Sequence, residues 1–165
     1  MIIDTISGDL LCAKESYICQ QCNCLTLKSH GLSKSISDKY EWANPYAIRP
    51  KKSANSTSEP DEPGTIVEMS HPLKPDKYPT VLCFMSQWCP GKPNKFNQYY
   101  SKEYADTVSE REGWFQNCLD ILDENEYSTV AVPYGIGCGL AGGNWTNYKK
   151  MLDGCSTKVV VYKLT

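Results

Sequence analysis

Nothing in the 165 residues approaches the ~20-residue apolar run that a membrane-spanning helix requires. Also missing is an excess of basic charge: 17 lysines and arginines face 19 aspartates and glutamates, for a formal net charge of −2. Long nucleic acid, which would need many phosphates neutralised, is therefore not an expected partner. The opening Met1-Ile2-Ile3-Asp4 has neither a basic region nor a long apolar stretch, so it reads as the start of a strand and not as a secretory leader. Without secretion, the nine cysteines are expected to be reduced thiols in a cytoplasmic compartment, and the sequons at Asn55 and Asn144 to be chance matches. Cys19, Cys22 and Cys24 could begin a zinc site, but no second Cys/His pair has the spacing to complete one. On a strand, Cys19 and Cys22 would also face opposite ways. Buried thiols acting as small hydrophobes are the expectation, and neither metal nor cofactor is called for.

What is present suits one domain spanning 1–165, with 41% hydrophobic residues to build its core. Strands are expected at Ile2–Ile6, Tyr17–Cys22, Thr65–Met69, Thr80–Ser86, Thr129–Val132 and Lys158–Leu164. Helices are expected at Gly31–Tyr40, where Leu32, Ile36 and Tyr40 recur every four residues, at Ser109–Asn125, and from Asn144 to Leu152. Ser109 with Glu112 has the form of a capping box, and Trp114, Phe115, Cys118, Leu119, Ile121 and Leu122 make one apolar face. Asn144 can cap the last helix and Gly154 can stop it. The proline-rich stretch 43–63 reads as a surface loop, and the polar-aromatic stretch 87–107 as a second loop, either functional or a packed Ω-loop. Early strands that pair locally, followed by strands that alternate with helices, predict an α/β fold: a mixed central sheet with helices on both faces.

The chemistry concentrates at Val132-Pro133-Tyr134-Gly135-Ile136-Gly137-Cys138-Gly139-Leu140-Ala141-Gly142-Gly143-Asn144-Trp145, a glycine-rich passage from a buried strand to a helix. Glycines there remove side chains where a ligand must come close, and amides at the helix start favour an anion. A diphosphate is the natural occupant. A turn used only for tight helix–sheet packing is the alternative, although five glycines exceed what a turn needs. The loop lacks the Gly-Lys-Ser/Thr end of a P-loop, and it lies too late in the chain for a dinucleotide fingerprint. Asp9, after the first strand, could accept a hydrogen bond from an exocyclic amine or simply form an Asx turn. Asn23 ends the second strand, and His30-Gly31-Leu32 opens the helix after it. In an open α/β sheet these would meet the late loop in one crevice outside the strand ends. Asn23 suits a sugar hydroxyl, and His30 could act as a general acid or base, or be no more than an exposed cap-region histidine.

Together, Ser7-Gly8-Asp9-Leu10, the strand end at Cys22-Asn23, the Gly31-Leu32 helix start and Pro133–Trp145 resemble the macro domain, an ADP-ribose-binding module of three-layer α/β/α architecture. Ile136-Gly137-Cys138-Gly139-Leu140 followed by Trp145 is similar to the branch containing terminal ADP-ribose-protein glycohydrolase, and to the related ADP-ribose-1″-phosphate phosphatases. The resemblance implies adenine near Asp9 and Leu10, with Tyr162 and Leu164 along its edge. It places the diphosphate and distal ribose against Ile136, Gly137, Cys138, Gly139, Leu140 and Ala141, flanked by Asn23, Gly31 and Leu32. The glycohydrolase has a lysine where this chain has Gln87 and an aspartate where it has Ala141, so that covalent route is not expected here. Three functions follow: hydrolysis of ADP-ribose-1″-phosphate or of a protein-linked ADP-ribosyl ester, with His30 and Asn23 as the catalytic candidates; non-catalytic reading of ADP-ribose; or an interaction module that has lost the ligand.

Overall fold

The computed structural model describes residues 1–50 and 59–165. Along the chain come β1 (Ile2–Ser7), a 3-10 turn (Leu10–Cys12), β2 (Tyr17–Asn23), α1 (Gly31–Lys39), β3 (Ile66–Met69), β4 (Thr80–Gln87), α2 (Val108–Glu124), β5 (Val130–Pro133), α3 (Trp145–Gly154) and β6 (Val159–Lys163). The strands form one sheet in the order β1-β6-β5-β2-β4-β3, parallel throughout except for β3 against β4. None of the described helices is long and apolar enough to cross a membrane.

Strand alternation assigns the layers. Cys19, Leu82, Phe84, Val130, Val132, Val159 and Val161 face α2 and α3, where they pack with Phe115, Cys118, Leu119, Leu122, Tyr148 and Leu152. Their strand neighbours point the other way. Cys22, Val81, Cys83 and Met85 meet Ile36 of α1, and Ile18, Ala131, Val160 and Tyr162 enclose Leu10. Cys19 and Cys22 thus lie in different layers, as strand geometry requires. The expected mixed sheet with helices on both faces is what the chain forms.

Only one of the expected local pairings exists, the β3–β4 hairpin. β1 pairs with β6, with Ile2 opposite Val159, while β2 lies between β5 and β4. The reason is burial. β2 is buried on both faces and sits in the middle of the sheet, whereas β1 exposes Ile3, Asp4 and Thr5 and lies at an edge.

Two further expectations need correction. α2 is capped by Thr107, whose Oγ1 accepts from the Glu110 amide at 3.2 Å, and not by Ser109. The same Ser/Thr-x-x-Glu pattern occurs at both offsets, and Arg111 lies on the buried face of the helix with Trp114 and Cys118. Nor are the described residues of 43–63 all at the surface: Ala43, Pro45, Tyr46 and Arg49 are buried. Arg49 pairs with Asp61 at 2.7 Å and donates to the carbonyls of Asn23 and Thr26, which secures the end of β2. The Asn55 sequon lies outside the described residues.

Candidate functional site

β2, β4, β5 and β6 run parallel, so their carboxyl ends open on one side of the sheet. A cleft of about 450 Å³ lies there, within the range that holds small ligands. Its walls are the end of β2 (Gln21, Asn23), the turn into α1 (Lys28, His30, Gly31, Leu32), the end of β4 (Gln87, Pro90, Gly91) and the glycine loop (Gly135 to Gly137, Gly139 to Ala141).

The glycines of that loop do two different jobs. At Gly137, φ is +72° and a Cβ would stand 2.5 Å from Gln21 Oε1; at Gly143 it would stand 2.6 Å from the Gly137 carbonyl. These two serve close packing, one against the strand end and one within the loop. A Cβ at Gly139 would meet nothing, so that position is open to the cleft. The amides divide in the same way. Ile136, Cys138, Gly142 and Gly143 donate to carbonyls of Pro133, Gly135, Gly139 and Gly137. Those of Gly137, Gly139, Leu140 and Ala141 have no partner among the described residues. A short arc of free donors just ahead of α3, whose N-cap Asn144 accepts from Thr146 N at 2.9 Å, suits an anionic diphosphate.

The loop is held from behind by a buried ion pair. Arg111 and Asp106 meet through two hydrogen bonds, Nε to Oδ1 at 2.8 Å and an NH2 bond to Oδ2 at 2.7 Å. Arg111 also donates to the carbonyls of Cys89, Gly91 and Ala141, and Asp106 accepts from the amides of Trp88 and Cys89. One guanidinium therefore ties the β4 turn to the glycine loop from behind the cleft. Sequence reasoning missed this pair. The available signal was Arg111's phase: it stands three residues before Trp114 and seven before Cys118, on the apolar stripe of α2.

The expected site residues fall into four groups. His30, Gly31 and Leu32 line the cleft. His30 is the N-cap of α1, exposed, and makes no capping hydrogen bond, and Gly31 adopts a left-handed φ of +55° that favours glycine. Asn23 lines the cleft but is largely occupied: its Oδ1 accepts from the amides of Leu25 and Thr26 at 3.0 and 2.9 Å, and its Nδ2 donates to Thr26 Oγ1. Ile136, Gly137, Gly139, Leu140 and Ala141 form the loop wall. Asp9, Leu10 and Cys138 do not line the cleft. Asp9 Oδ1 accepts from Leu11 N at 2.9 Å, the Asx-type cap that was the alternative to an adenine contact. Leu10 is buried in the core. Cys138 donates to the Ile136 carbonyl, and burial pushes its thiol up to about 11. Of the residues tied to the adenine edge, Leu164 lines the cleft, while the Tyr162 hydroxyl donates to Glu15 at 2.8 Å. Gln21, Lys28, Ser33, Tyr46, Pro90, Gly91 and Tyr134 line it without having been singled out as ligand contacts.

Searched by sequence, the chain matches no family model and no curated protein. Solved structures do match. The macrodomain of Mycobacterium tuberculosis DarG superposes with a TM-score of 0.65 at 18% identity, covering 98% of this chain and 97% of that one. The Thermus aquaticus DarG macrodomain gives 0.62 at 16% identity over 98% and 97%. The Oceanobacillus iheyensis macrodomain with ADP gives 0.57 at 15% identity over 98% and 82%. The fold is the macrodomain fold. At such identities the macrodomain likeness speaks to architecture alone; it does not select the glycohydrolase branch or any other. What this macrodomain cleft does has to come from its own residues.

Proposed function

We propose that the cleft binds ADP-ribose and that the protein hydrolyses an ADP-ribose derivative, either ADP-ribose-1″-phosphate or a protein-linked ADP-ribosyl ester. The observation that carries this is the arc of free amides at Gly137 and Gly139 to Ala141, with His30 across the cleft. The amides would take the diphosphate, and those nearest the reacting group would stabilise developing negative charge. His30 is the titratable side chain best placed to deliver or remove a proton, because nothing else claims its imidazole as a cap. Asn23, tied into its own turn, is better suited to holding the ribose than to activating water. The Oceanobacillus macrodomain solved with ADP, and a mutant of it solved with ADPR, lend support by fold.

A non-catalytic reader is the second reading, favoured by Gln87 and Ala141 in the places where the glycohydrolase carries its lysine and aspartate. Calorimetry with ADP-ribose, followed by turnover assays on both substrate types, separates the two. Binding with turnover that falls ~10²–10⁴-fold in His30→Ala, while affinity holds, is the expected result. Binding with no turnover of either substrate leaves the reader, and no binding at all overturns both.

A further inference from the structure

At the floor of the cleft, two side-chain amides are oriented by what surrounds them. Gln87 is buried, and its Nε2 lies 2.8 Å from the Cys89 carbonyl and 3.3 Å from the Gly91 carbonyl. Carbonyls only accept, so the NH2 must face them and Oε1 must face away. That oxygen accepts from Gln21 Nε2 at 3.1 Å, which fixes the second amide. Gln21 Oε1 then accepts from the buried Ser86 hydroxyl at 2.9 Å. The chain runs one way only, from Ser86 through Gln21 and Gln87 to the two carbonyls.

The hydrogens and lone pairs left over define what the pair can bind. Both hydrogens of Gln87 Nε2 are committed. Gln21 Nε2 keeps one hydrogen, and Gln87 Oε1 keeps one lone pair, in side chains that both line the cleft. A donor and an acceptor held side by side suit a neutral group that both gives and accepts a hydrogen bond, as a hydroxyl does through one oxygen. Gln21 also lies against Gly137, at the start of the free-amide arc, so the hydroxyl belongs to the part of the ligand next to the diphosphate.

We propose that Gln21 and Gln87 are specificity-determining residues that read a hydroxyl of the distal ribose, the ribose beyond the diphosphate. This rests on the ADP-ribose reading above and deepens it: ADP alone, which ends at the diphosphate, leaves the pair unused.

The test compares ADP-ribose with ADP by calorimetry on the whole chain. The unaltered protein is expected to prefer ADP-ribose by tenfold or more. Gln21→Met and Gln87→Met should each lower ADP-ribose affinity about tenfold and leave ADP affinity as it was. A merely structural role, slackening of the loop at Gly137, would weaken both ligands together and overturn the assignment. A second arm needs no variant: ADP-ribose analogues lacking the 2″ or the 3″ hydroxyl are titrated into the unaltered protein. One of them should lose the same factor, and should lose nothing further in Gln21→Met. Full affinity for both analogues overturns the pair while the ADP-ribose reading stands. Failure of the unaltered protein to bind ADP-ribose at all overturns that reading, and this one with it.

Discussion

Replacing Asp106 with alanine removes the acceptor of four hydrogen bonds, from the amides of Trp88 and Cys89 and from Nε and an NH2 of Arg111. It strands a guanidinium whose side chain is only 2% exposed. Arg111 would keep its bonds to the carbonyls of Cys89, Gly91 and Ala141, but no counter-charge. Breaking a buried pair from one side costs ~3–5 kcal/mol, a large share of the ~5–15 kcal/mol that holds a domain folded. For a chain of this size that corresponds to a melting temperature lower by roughly 6–20 °C. Urea and thermal melts of Asp106→Ala measure the loss directly. Asp106→Ala combined with Arg111→Met removes the stranded charge, so the double variant should be more stable than the single one. A single-variant loss below about 1 kcal/mol, the worth of a surface pair, would refute the reasoning, as would a double variant less stable than Asp106→Ala.

Other outcomes follow from the same geometry. Gly137→Ala sets a methyl against Gln21 at a left-handed φ, so it should cost ~1–3 kcal/mol and abolish measurable ADP-ribose binding; calorimetry showing normal affinity would disprove the packing argument. Cys138 and Cys89, each pushed up to about 11 first of all by burial, are neutral thiols at pH 7.5, and timed alkylation with peptide mass mapping should label exposed Cys12 well before either. Burial works to raise the Asp123 carboxyl, but hydrogen bonds from Thr157 and Ser156 outweigh it and hold the group below its usual value. A depressed carboxylate contributes stability above the ordinary pKa of ~3.9 and loses it as pH falls through the folded value. Asp123→Asn should therefore show a flatter stability profile below about pH 4, and an unchanged acid transition would contradict this.

The elements were largely legible, because strand and helix periods in this chain are clean: every expected strand and helix exists, with shifted ends. What sequence could not supply was the partner of each strand. β1 carries no mark that points to β6 over β2, since edge and centre are told apart only by which faces end up covered. Thr107 and Ser109 offer the same capping pattern, and no local residue tells the two starts apart. The glycine loop was legible as a cradle because glycine leaves a compositional trace. The free amides themselves, and the division of glycines between packing and access, depend on φ angles and on Gln21, which no local pattern records. Asp9 shows the converse: a plausible recognition acceptor turned out to have its Oδ1 occupied by a backbone amide two residues away. Prolines made 43–63 look external, while Tyr46 and Arg49 in that stretch are buried.

The pairing of β1 with β6 bears on how the polypeptide reaches its native state. Ile2 finds Val159 only after nearly the whole described sequence has been made. At ~5–20 residues per second, β1 waits on the order of ten seconds or more at the ribosome with its hydrogen-bonding edge unsatisfied. β2, β4 and β3 can assemble meanwhile, because their contacts close earlier in synthesis. The edge made first is thus completed last, which makes the nascent β1 segment the natural place for a chaperone to engage and the point at which truncated products would aggregate.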